Sequence, residues 1–312
     1  MMVSNITNCG LGIDAGGTQT RWALADVSGM IIADGQVAGL TGLQMLTESG
    51  RKHIQEVLTE LAAQVHGHGR PARVFAGFTG LGEGIENLRA LIAGPFGVPD
   101  DAVTLGSDVE IAYRDIYAPG EGYLVYAGTG SIGAFIDDAG RLHRVGGHGV
   151  LLDDAGGGFW IAREALRHIW RNEDARPASW HDSPMGREIF ARIGGSDWAH
   201  TRHFVYGSAS ADVRGKIGKL AMVVAAVADD DLEARRILET AGEELARLAQ
   251  VMTLRFGLRP VTLSGRVAQL HPVIAEAMRA ALPESTPFQV RTNDAHFAAA
   301  GIAARALRVK DD

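Results

Sequence analysis

Hydrophobic and polar positions follow two different periods along this chain, and the two periods alternate. Residues 11–26, LGIDAGGTQTRWALAD, run from an apolar stretch through a glycine-rich turn into an alternating stretch in which Trp22 and Leu24 share one face. This pattern predicts a strand, a tight turn and a second strand. Residues 44–65 instead space their apolar side chains as a helix does. Alternating strands and helices predict an α/β fold.

The remaining segments continue this alternation, except for one polar stretch. Residues 171–209 are rich in Asp, Pro, Ser, His and Trp, and we expect an irregular or short-helical insertion there. The other predicted elements are a strand at 72–82, a helix near 84–94, a strand and helix within 102–117, a second hairpin at 122–137, a helix within 153–170, helices at 215–228 and 231–257, a strand at 259–265, a helix at 271–282, a strand at 288–291 and a helix at 294–308.

The two glycine hairpins align with each other without a gap, which suggests a duplication. The aligned pairs are Gly17 with Gly128, Thr18 with Thr129, Thr20 with Ser131, Ala23 with Ala134, Asp26 with Asp137 and Gly29 with Gly140. A repeat of this length predicts two homologous halves, and chance agreement of two Gly-Thr hairpins is the alternative. With the joint at Pro119-Gly120, we predict an N-terminal domain of residues 1–118, completed by the C-terminal helix 294–312, and a C-terminal domain of residues 119–293. A ligand is expected in the cleft between them.

Composition narrows the classes of partner. The 312 residues carry 30 Lys+Arg and 37 Asp+Glu, a net charge of −7, without basic runs, so neither nucleic acid nor an anionic membrane is an expected partner. No apolar stretch approaches the roughly 20 residues of a membrane span, and no signal pattern opens the chain, so we expect a cytoplasmic protein. The single cysteine, Cys9, cannot form an internal disulfide or a thiolate cluster within one chain.

Glycine, with 40 residues, is more frequent here than in most proteins, and the first hairpin shows one use for it. In Asp14-Ala15-Gly16-Gly17-Thr18 a strand brings a carboxylate to a turn whose amides can converge on a phosphate chain and its Mg²⁺. A plain tight turn is the alternative for either hairpin alone. A dinucleotide-binding turn is disfavoured because a strand, not a helix, follows, and the Gly-Lys-Ser/Thr ending of a P-loop is absent.

A second candidate carboxylate follows the strand near 103–106. Ser107 and Glu110 have capping-box spacing, which places Asp108 at the first helical position. One interpretation is a first-turn aspartate that complements the helix dipole. The other is a general base that accepts a proton from a substrate hydroxyl attacking a γ-phosphate, and its position between the two hairpins favours this function.

Taken in order, these motifs resemble a known family. GIDAGGT, a strand ending in Gly-Ser-Asp, AGTGS, the segment GHGVLLDDAGGGFWIAREAL, and the late SGRV and NDAHFAAAGIAA are similar to the N-acetylglucosamine kinase and BadF/BadG family. That family belongs to the actin, sugar kinase and Hsp70 superfamily of ATPases. The resemblance implies two actin-like, ribonuclease H-like domains of duplicated topology, with ATP and Mg²⁺ as cofactors.

The resemblance also implies roles for particular residues. Asp108 would be the catalytic base, Asp14 would hold the metal, and Asp154 would bind the sugar. The expected nucleotide-binding residues are Asp14, Gly16, Gly17, Thr18, Gly128, Thr129, Gly130, Ser131, Gly265 and Arg266. The expected substrate-binding residues are Gly80, Ser107, Asp108, Gly130 and Asp154. For Asp153 and Asp154, capping of the following helix is the alternative.

The implied reaction is phosphorylation of an amino sugar, N-acetylglucosamine or glucosamine, at a primary hydroxyl, by a homodimer. Asp153, Ala155 and Gly42 depart from the family pattern, which leaves the exact sugar open. One alternative is a BadF/BadG-type ATPase that activates a partner through an iron–sulfur cluster, which requires cysteine ligands. Another is a non-catalytic sugar- or nucleotide-binding regulator, which as a ROK-type repressor needs a helix-turn-helix before the first hairpin.

Overall fold

The computed structural model describes residues 6–17, 19–78, 85–207, 213–292 and 294–308. Within these ranges the chain divides into two compact units. The first runs to Ile116 and takes in the C-terminal helix, and the second spans Tyr117–Thr292. Among the helices of these ranges, none combines the length and the hydrophobicity that a membrane span requires.

Each unit contains one five-stranded sheet and its helices. The strands are β1 Ile6–Ala15, β2 Gln19–Ala25, β3 Ile31–Ala38, β4 Gly69–Phe78, β5 Val103–Gly106, β6 Tyr123–Ala127, β7 Ser131–Ile136, β8 Leu142–Gly146, β9 Val261–Ser264 and β10 Phe288–Arg291. The helices are α1 Glu48–His66, α2 Ile85–Phe96, α3 Asp108–Ile116, α4 Gly158–Ala175, α5 Pro184–Ile193, α6 Trp198–Tyr206, α7 Val213–Gly218, α8 Leu220–Ala226, α9 Leu232–Phe256, α10 Pro272–Ala281 and α11 Ala295–Arg308.

The sheet of the first unit has the order β3-β2-β1-β4-β5. Its first three strands are antiparallel neighbours, and β4 and β5 run parallel to β1. Alternation along β1 and β2 turns Leu11, Ile13 and Trp22 to one face, where they form a core with apolar residues of α1 and α2. The predicted hairpin of residues 11–26 is therefore confirmed.

Small residues let α11 lie directly on the other face of this sheet. A Cβ atom on Gly12 would lie 2.2 Å from the Ala300 nitrogen, and one on Gly10 would lie 2.2 Å from the Ala304 nitrogen. Because the two strand positions are glycine, the helix approaches the strand backbone itself. Ala23 and Ala25 of β2 join Ala300 and Ala304 in a small buried cluster there.

The second unit repeats this topology. Its sheet has the order β10-β9-β6-β7-β8, with β6, β7 and β8 antiparallel and β9 and β10 parallel to β6. The strands β6 to β10 thus correspond one by one to β1 to β5, which confirms the predicted duplicated topology. Gly133 of β7 lets Met252 and Leu248 of α9 pack closely on one face.

The predicted insertion is largely helical. Residues 171–175 continue α4, and a 3-10 helix, Ser179–Asp182, leads into α5 and then α6. Trp170, Trp180 and Phe190 make edge-to-face contacts that form the aromatic centre of this region. The predicted single helix over 215–228 is divided into α7, which ends at Gly218, and α8.

Candidate active site

The first phosphate-loop candidate is the turn between β1 and β2. The Gly16 amide donates to the Gln19 carbonyl at 3.2 Å, and the Leu40 amide donates to the Gly16 carbonyl at 3.1 Å. Gly17 is exposed at the tip, and Asp14 is half-buried one residue before the end of β1. Thr18, also predicted to bind nucleotide, lies outside the described residues. The described part of this turn is closed by main-chain hydrogen bonds.

The strand register brings Asp14 and the Asp108 segment to the same edge of one sheet. Asp14 of β1 pairs with Gly77 of β4, and Gly77 pairs with Gly106 of β5. Two steps between neighbouring strands make the distance from Asp14 to Gly106 about 10 Å at Cα. All three strands run parallel and end at this edge, which is where ligands bind in α/β sheets.

Asp108 opens α3 directly after β5. Its Oδ1 accepts a hydrogen bond from the Val109 amide at 2.9 Å, and the Ser107 hydroxyl accepts one from the Glu110 amide at 3.2 Å. The predicted cap by Ser107 and the predicted helix start are confirmed. The Glu110 carboxylate pairs with Arg114, with Arg114 Nη2 at 3.0 Å from Oε1, which gives Glu110 a role within the helix.

Gly77 allows α3 to approach β4 closely. A Cβ atom at Gly77 would lie 2.4 Å from Ile111 Cδ1 and 3.6 Å from the Asp108 Cα. A Cβ atom at Gly77 would therefore displace the end of the Ile111 side chain, which packs α3 against β4 beside Asp108. Gly80, predicted to bind substrate just beyond β4, lies outside the described residues.

The second phosphate-loop candidate lies in the second unit and is tied to the start of α4. The Gly128 amide donates to the Gly130 carbonyl at 2.9 Å. The Gly158 and Phe159 amides donate to the Gly128 and Thr129 carbonyls, both at 2.9 Å. The Ser131 hydroxyl is buried and donates to the Ala155 carbonyl at 2.7 Å, so it joins this loop to the Asp154 segment.

Asp154 packs against Gly130 of the second loop, so the structure brings these two predicted site residues together. It is 8% exposed and has a left-handed φ of 56°, and its Oδ1 accepts from the Gly149 amide at 3.0 Å. A Cβ atom on Gly130 would lie only 2.1 Å from Asp154 Oδ2. Burial raises the pKa of Asp154, and the neighbouring Asp153 carboxylate adds to the rise, while the Gly149 amide opposes it.

Capping of α4 by Asp153 or Asp154 is wrong. The N-cap of α4 is Gly157, and no side chain caps it. Asp153 instead accepts a long hydrogen bond from the Ala155 amide and faces Arg247 of α9 at 3.4 Å. Asp154 is thus left with a position that capping does not explain.

Glycines from three other segments converge beside the second loop. Gly265 has a φ of 98°, and a Cβ atom there would lie 2.4 Å from the Ala127 carbonyl oxygen. A Cβ atom on Gly157 would lie 2.7 Å from the Gly130 Cα, and one on Gly218 would lie 3.5 Å from Thr129 Cγ2. Arg266 follows Gly265 as an exposed residue at the start of a 3-10 helix, Arg266–Gln269.

The sequence prediction missed Gly157, Gly158 and Gly218 at this place. The run Gly156-Gly157-Gly158 was a visible signal, because consecutive glycines before an amphipathic helix indicate either a positive φ or a close approach of backbone to backbone. Gly218 gave no comparable signal, since an isolated glycine within a helical pattern points to no particular neighbour.

Comparison with known proteins identifies the family of this chain. Residues 11–300 match the sequence model of the BadF/BadG/BcrA/BcrD ATPase family. The chain belongs to this family. It is 25% identical over 253 residues to the N-acetylmuramic acid/N-acetylglucosamine kinase of Clostridium acetobutylicum, an alignment that covers 75% of this chain and 76% of that protein.

Solved structures share the fold of this ATPase family member. A candidate N-acetylglucosamine kinase from Chromobacterium violaceum is 23% identical with a TM-score of 0.70, covering 96% of this chain and 99% of that one. A ROK family glucokinase from Streptomyces griseus is 17% identical with a TM-score of 0.61, covering 97% and 100%. These matches confirm the predicted α/β fold class of two actin-like units.

Proposed function

We propose that this ATPase family member transfers the γ-phosphoryl group of ATP to the primary hydroxyl of an amino sugar, N-acetylglucosamine or glucosamine. The observation that carries the proposal is the register of Asp14, Gly77 and Gly106, which brings Asp108 to the same sheet edge as the first glycine turn. The name of the Clostridium relative supports the substrate class. A candidate base and a candidate phosphate turn at one edge are the minimum that such a kinase requires.

Glycines of the second unit support ATP as the phosphoryl donor. Gly130, Gly157 and Gly265 lie where even a Cβ atom would collide with main chain or with Asp154, so the loop segments of this unit pack backbone against their neighbours. Backbone without side chains suits the close approach of a nucleotide. We propose Gly128, Thr129, Gly130, Gly265 and Arg266 as nucleotide contacts there, with the backbone of Ser131. In the first unit we propose Gly16, Gly17 and Thr18.

Asp14 is the proposed Mg²⁺ ligand. Among the described residues no group of three or more His, Cys, Asp or Glu side chains is arranged to hold a metal. A single carboxylate fits Mg²⁺, which usually keeps several waters and takes its other ligands from substrate phosphates. When bound, the ion would neutralise charge on the phosphate oxygens.

Asp108 is the proposed general base. Its carboxylate would accept the proton of the sugar hydroxyl while the hydroxyl oxygen forms the new bond to phosphorus. The bond between the γ-phosphorus and its bridging oxygen breaks, ADP leaves, and the proton passes from Asp108 to solvent. Ser107 and Gly80 would line the sugar position beside it.

Asp154 is the proposed sugar-orienting residue, together with Gly130. Its Oδ1 is held by the Gly149 amide, which fixes the carboxylate without consuming all its acceptor positions. The exact sugar depends on positions that depart from the family pattern, above all Gly42, which is buried in the 3-10 helix Gly42–Leu46. A homodimeric, cytoplasmic enzyme remains our prediction.

An ATPase that acts without a sugar acceptor is the second candidate, because the family description names only ATPase activity. An iron–sulfur activator is disfavoured because its cluster requires several cysteine ligands. Cys9 is the chain's single cysteine and is fully buried in β1, against the first-unit core. Such an ATPase would release ADP at a rate independent of any sugar.

The test is a coupled assay of ADP release across a panel of amino sugars. We expect turnover that depends on the sugar and falls by about 10²–10⁴-fold in Asp108→Asn, the range for loss of a general base. Asp101→Asn is the matched control, since Asp101 is exposed and lies two residues before β5. Full activity in Asp108→Asn would remove this residue from its role, and sugar-independent release would favour the second candidate.

A further inference from the structure

Arg247 of α9 is a cationic side chain to which the proposed function gives no role. Its Nη2 lies 3.4 Å from Asp153 Oδ2, and its Nε donates to Glu244 Oε2 at 2.8 Å. Glu244 is three residues earlier on the same helix, so this shorter contact holds the guanidinium group on the surface of α9. Arg247 is thus a held cation that faces the residue directly before Asp154.

The ion pair of Arg247 and Asp153 lies where the Asp154 segment packs on α9. A Cβ atom on Gly156 would lie 2.7 Å from the Ala241 carbonyl oxygen, so the main chain two residues after Asp154 already rests on this helix. The arginine and aspartate side chains of the pair are 44% and 30% exposed, and exposed pairs contribute little to stability. Fastening of the segment alone therefore does not account for the pair.

The charges around Asp154 give the pair an electrostatic role. Burial raises the pKa of Asp154, and the Asp153 carboxylate beside it raises this pKa further. The exposed side chains of His148 and Arg214 lower the pKa, and the second loop on the other side of Asp154 contributes only neutral groups. Because a cation next to a carboxylate cancels much of its field, Arg247 reduces the repulsion between Asp153 and Asp154.

We infer that Arg247 is a positioning residue of the proposed sugar site, which neutralises the Asp153 carboxylate and so keeps Asp154 charged and able to accept hydrogen bonds from sugar hydroxyls. The inference rests on the proposed function, in which Asp154 orients the sugar. A charged carboxylate accepts at both oxygens, whereas its protonated form donates from one of them, so the charge decides how it binds a hydroxyl. The competing explanation is structural, namely that the ion pair only fastens the Asp154 segment to α9.

Titration of the Asp154 carboxyl group separates these explanations, because the two halves of the ion pair carry opposite charges. The probe is the carbon-13 resonance of this carboxyl carbon in the sugar-free protein, assigned by its loss in Asp154→Asn. In Arg247→Ala the midpoint should rise by about 0.5 pH unit, and in Asp153→Asn it should fall by about as much. Both changes break the same ion pair, so a purely structural role predicts shifts in the same direction.

Two further variants test the charge and its place. Arg247→Lys keeps the positive charge and should restore most of the wild-type midpoint. Arg236→Ala is the matched control, because Arg236 also pairs with a glutamate three residues earlier on α9, at 2.8 Å, but lies about 16 Å along the helix from Arg247. Shifts in one direction for both halves of the pair, no shift in either, or a lysine variant that titrates like Arg247→Ala would overturn the inference.

The KM for the sugar gives a second readout. With only the charged form of Asp154 binding the sugar, KM rises about tenfold for each pH unit below the midpoint, so Arg247→Ala should have a KM about 3-fold above that of the wild type there. Well above the midpoint the two KM values should agree, and kcat should agree at each pH. A KM raised equally at every pH would overturn the inference in favour of the structural role.

The titration requires neither sugar nor ATP, so failure of this inference is distinguishable from failure of the proposed function. Opposite shifts of the midpoint in a protein that phosphorylates no amino sugar would refute the proposed function and leave Arg247 as the residue that keeps Asp154 charged. Sugar-dependent turnover together with midpoints that do not shift would support the proposed function and overturn the inference.

Discussion

Replacing Gly12 with alanine tests the close packing of α11 on β1. The new Cβ atom would lie 2.2 Å from both the Ala300 nitrogen and the His296 carbonyl oxygen. Ordinary contacts of this kind are about 3.5 Å or longer, so the helix must retreat by more than about 1 Å. Both colliding atoms belong to helix backbone, and no side-chain rotation can relieve them.

The expected loss of stability follows from the contacts with the sheet that α11 loses when it moves away. Ala299, Ala300 and Ala304 are fully buried against the sheet, and a gap of 0.5–1 Å forfeits about a quarter to a half of each contact energy. Overpacking of this kind costs about 1–3 kcal/mol and occasionally more. We expect Gly12→Ala to lower the free energy of unfolding by about 3 kcal/mol, a large part of the roughly 5–15 kcal/mol typical of a domain.

Urea denaturation followed by far-ultraviolet circular dichroism measures this loss. Gly94→Ala is the matched control, because Gly94 lies in α2 with no atom within 4 Å of the position of its Cβ. That change should alter the free energy of unfolding by less than about 1 kcal/mol, because helix propensity favours alanine while the following Pro95 disfavours a Cβ atom at a helical residue before it. If Gly12→Ala unfolds at the same urea concentration as the wild type, α11 does not pack on β1 as described.

Three further predictions concern the replacement of single residues. Asp231→Ala should lower the free energy of unfolding by about 3 kcal/mol in the same assay, because this buried carboxylate caps α9 and also accepts from the Ser183 hydroxyl and the Met185 amide. Gly265→Ala should cost about 3 kcal/mol and weaken ADP binding in calorimetry, since the new side chain meets the Ala127 carbonyl at a φ of 98°; unchanged ADP affinity would contradict the proposed contact. Because burial raises the pKa of Asp154 above its usual 3.8, the folded state keeps this proton to higher pH than the unfolded state does, so the stability of the wild type relative to Asp154→Asn should decrease as pH rises from about 4 through the raised pKa. Urea midpoints for both proteins between pH 4 and 7 check the sign, and a constant difference would contradict it.

Periodicity predicted most of the helices and strands because each of them depends on residues that are close together in the sequence. The hairpin of residues 11–26 and the repeat at 122–137 follow from alternation around a glycine turn, and both are present. The start of α3 after Ser107 follows from a capping pattern that spans four residues. The correspondence of the two sheets could be anticipated because the repeat aligns without a gap.

Long-range contacts explain what the sequence could not predict. Nothing near Gly218 signals that it meets Thr129, because these residues are far apart in the chain and meet only after folding. Local context left capping of α4 open as an alternative for Asp154, yet Gly157 is the N-cap and Asp154 packs against Gly130. The pairing of Asp14 with Arg21 requires the exact strand register, which the length of the described turn sets.

We propose that the phosphoryl group goes to the primary hydroxyl of an amino sugar. Incubation with ATP radiolabelled at the γ-phosphate, followed by chromatography of the products, measures this transfer. We expect a labelled sugar ester with N-acetylglucosamine or glucosamine and none with an analogue that lacks the primary hydroxyl. Label recovered only as inorganic phosphate with every sugar would refute the proposed transfer.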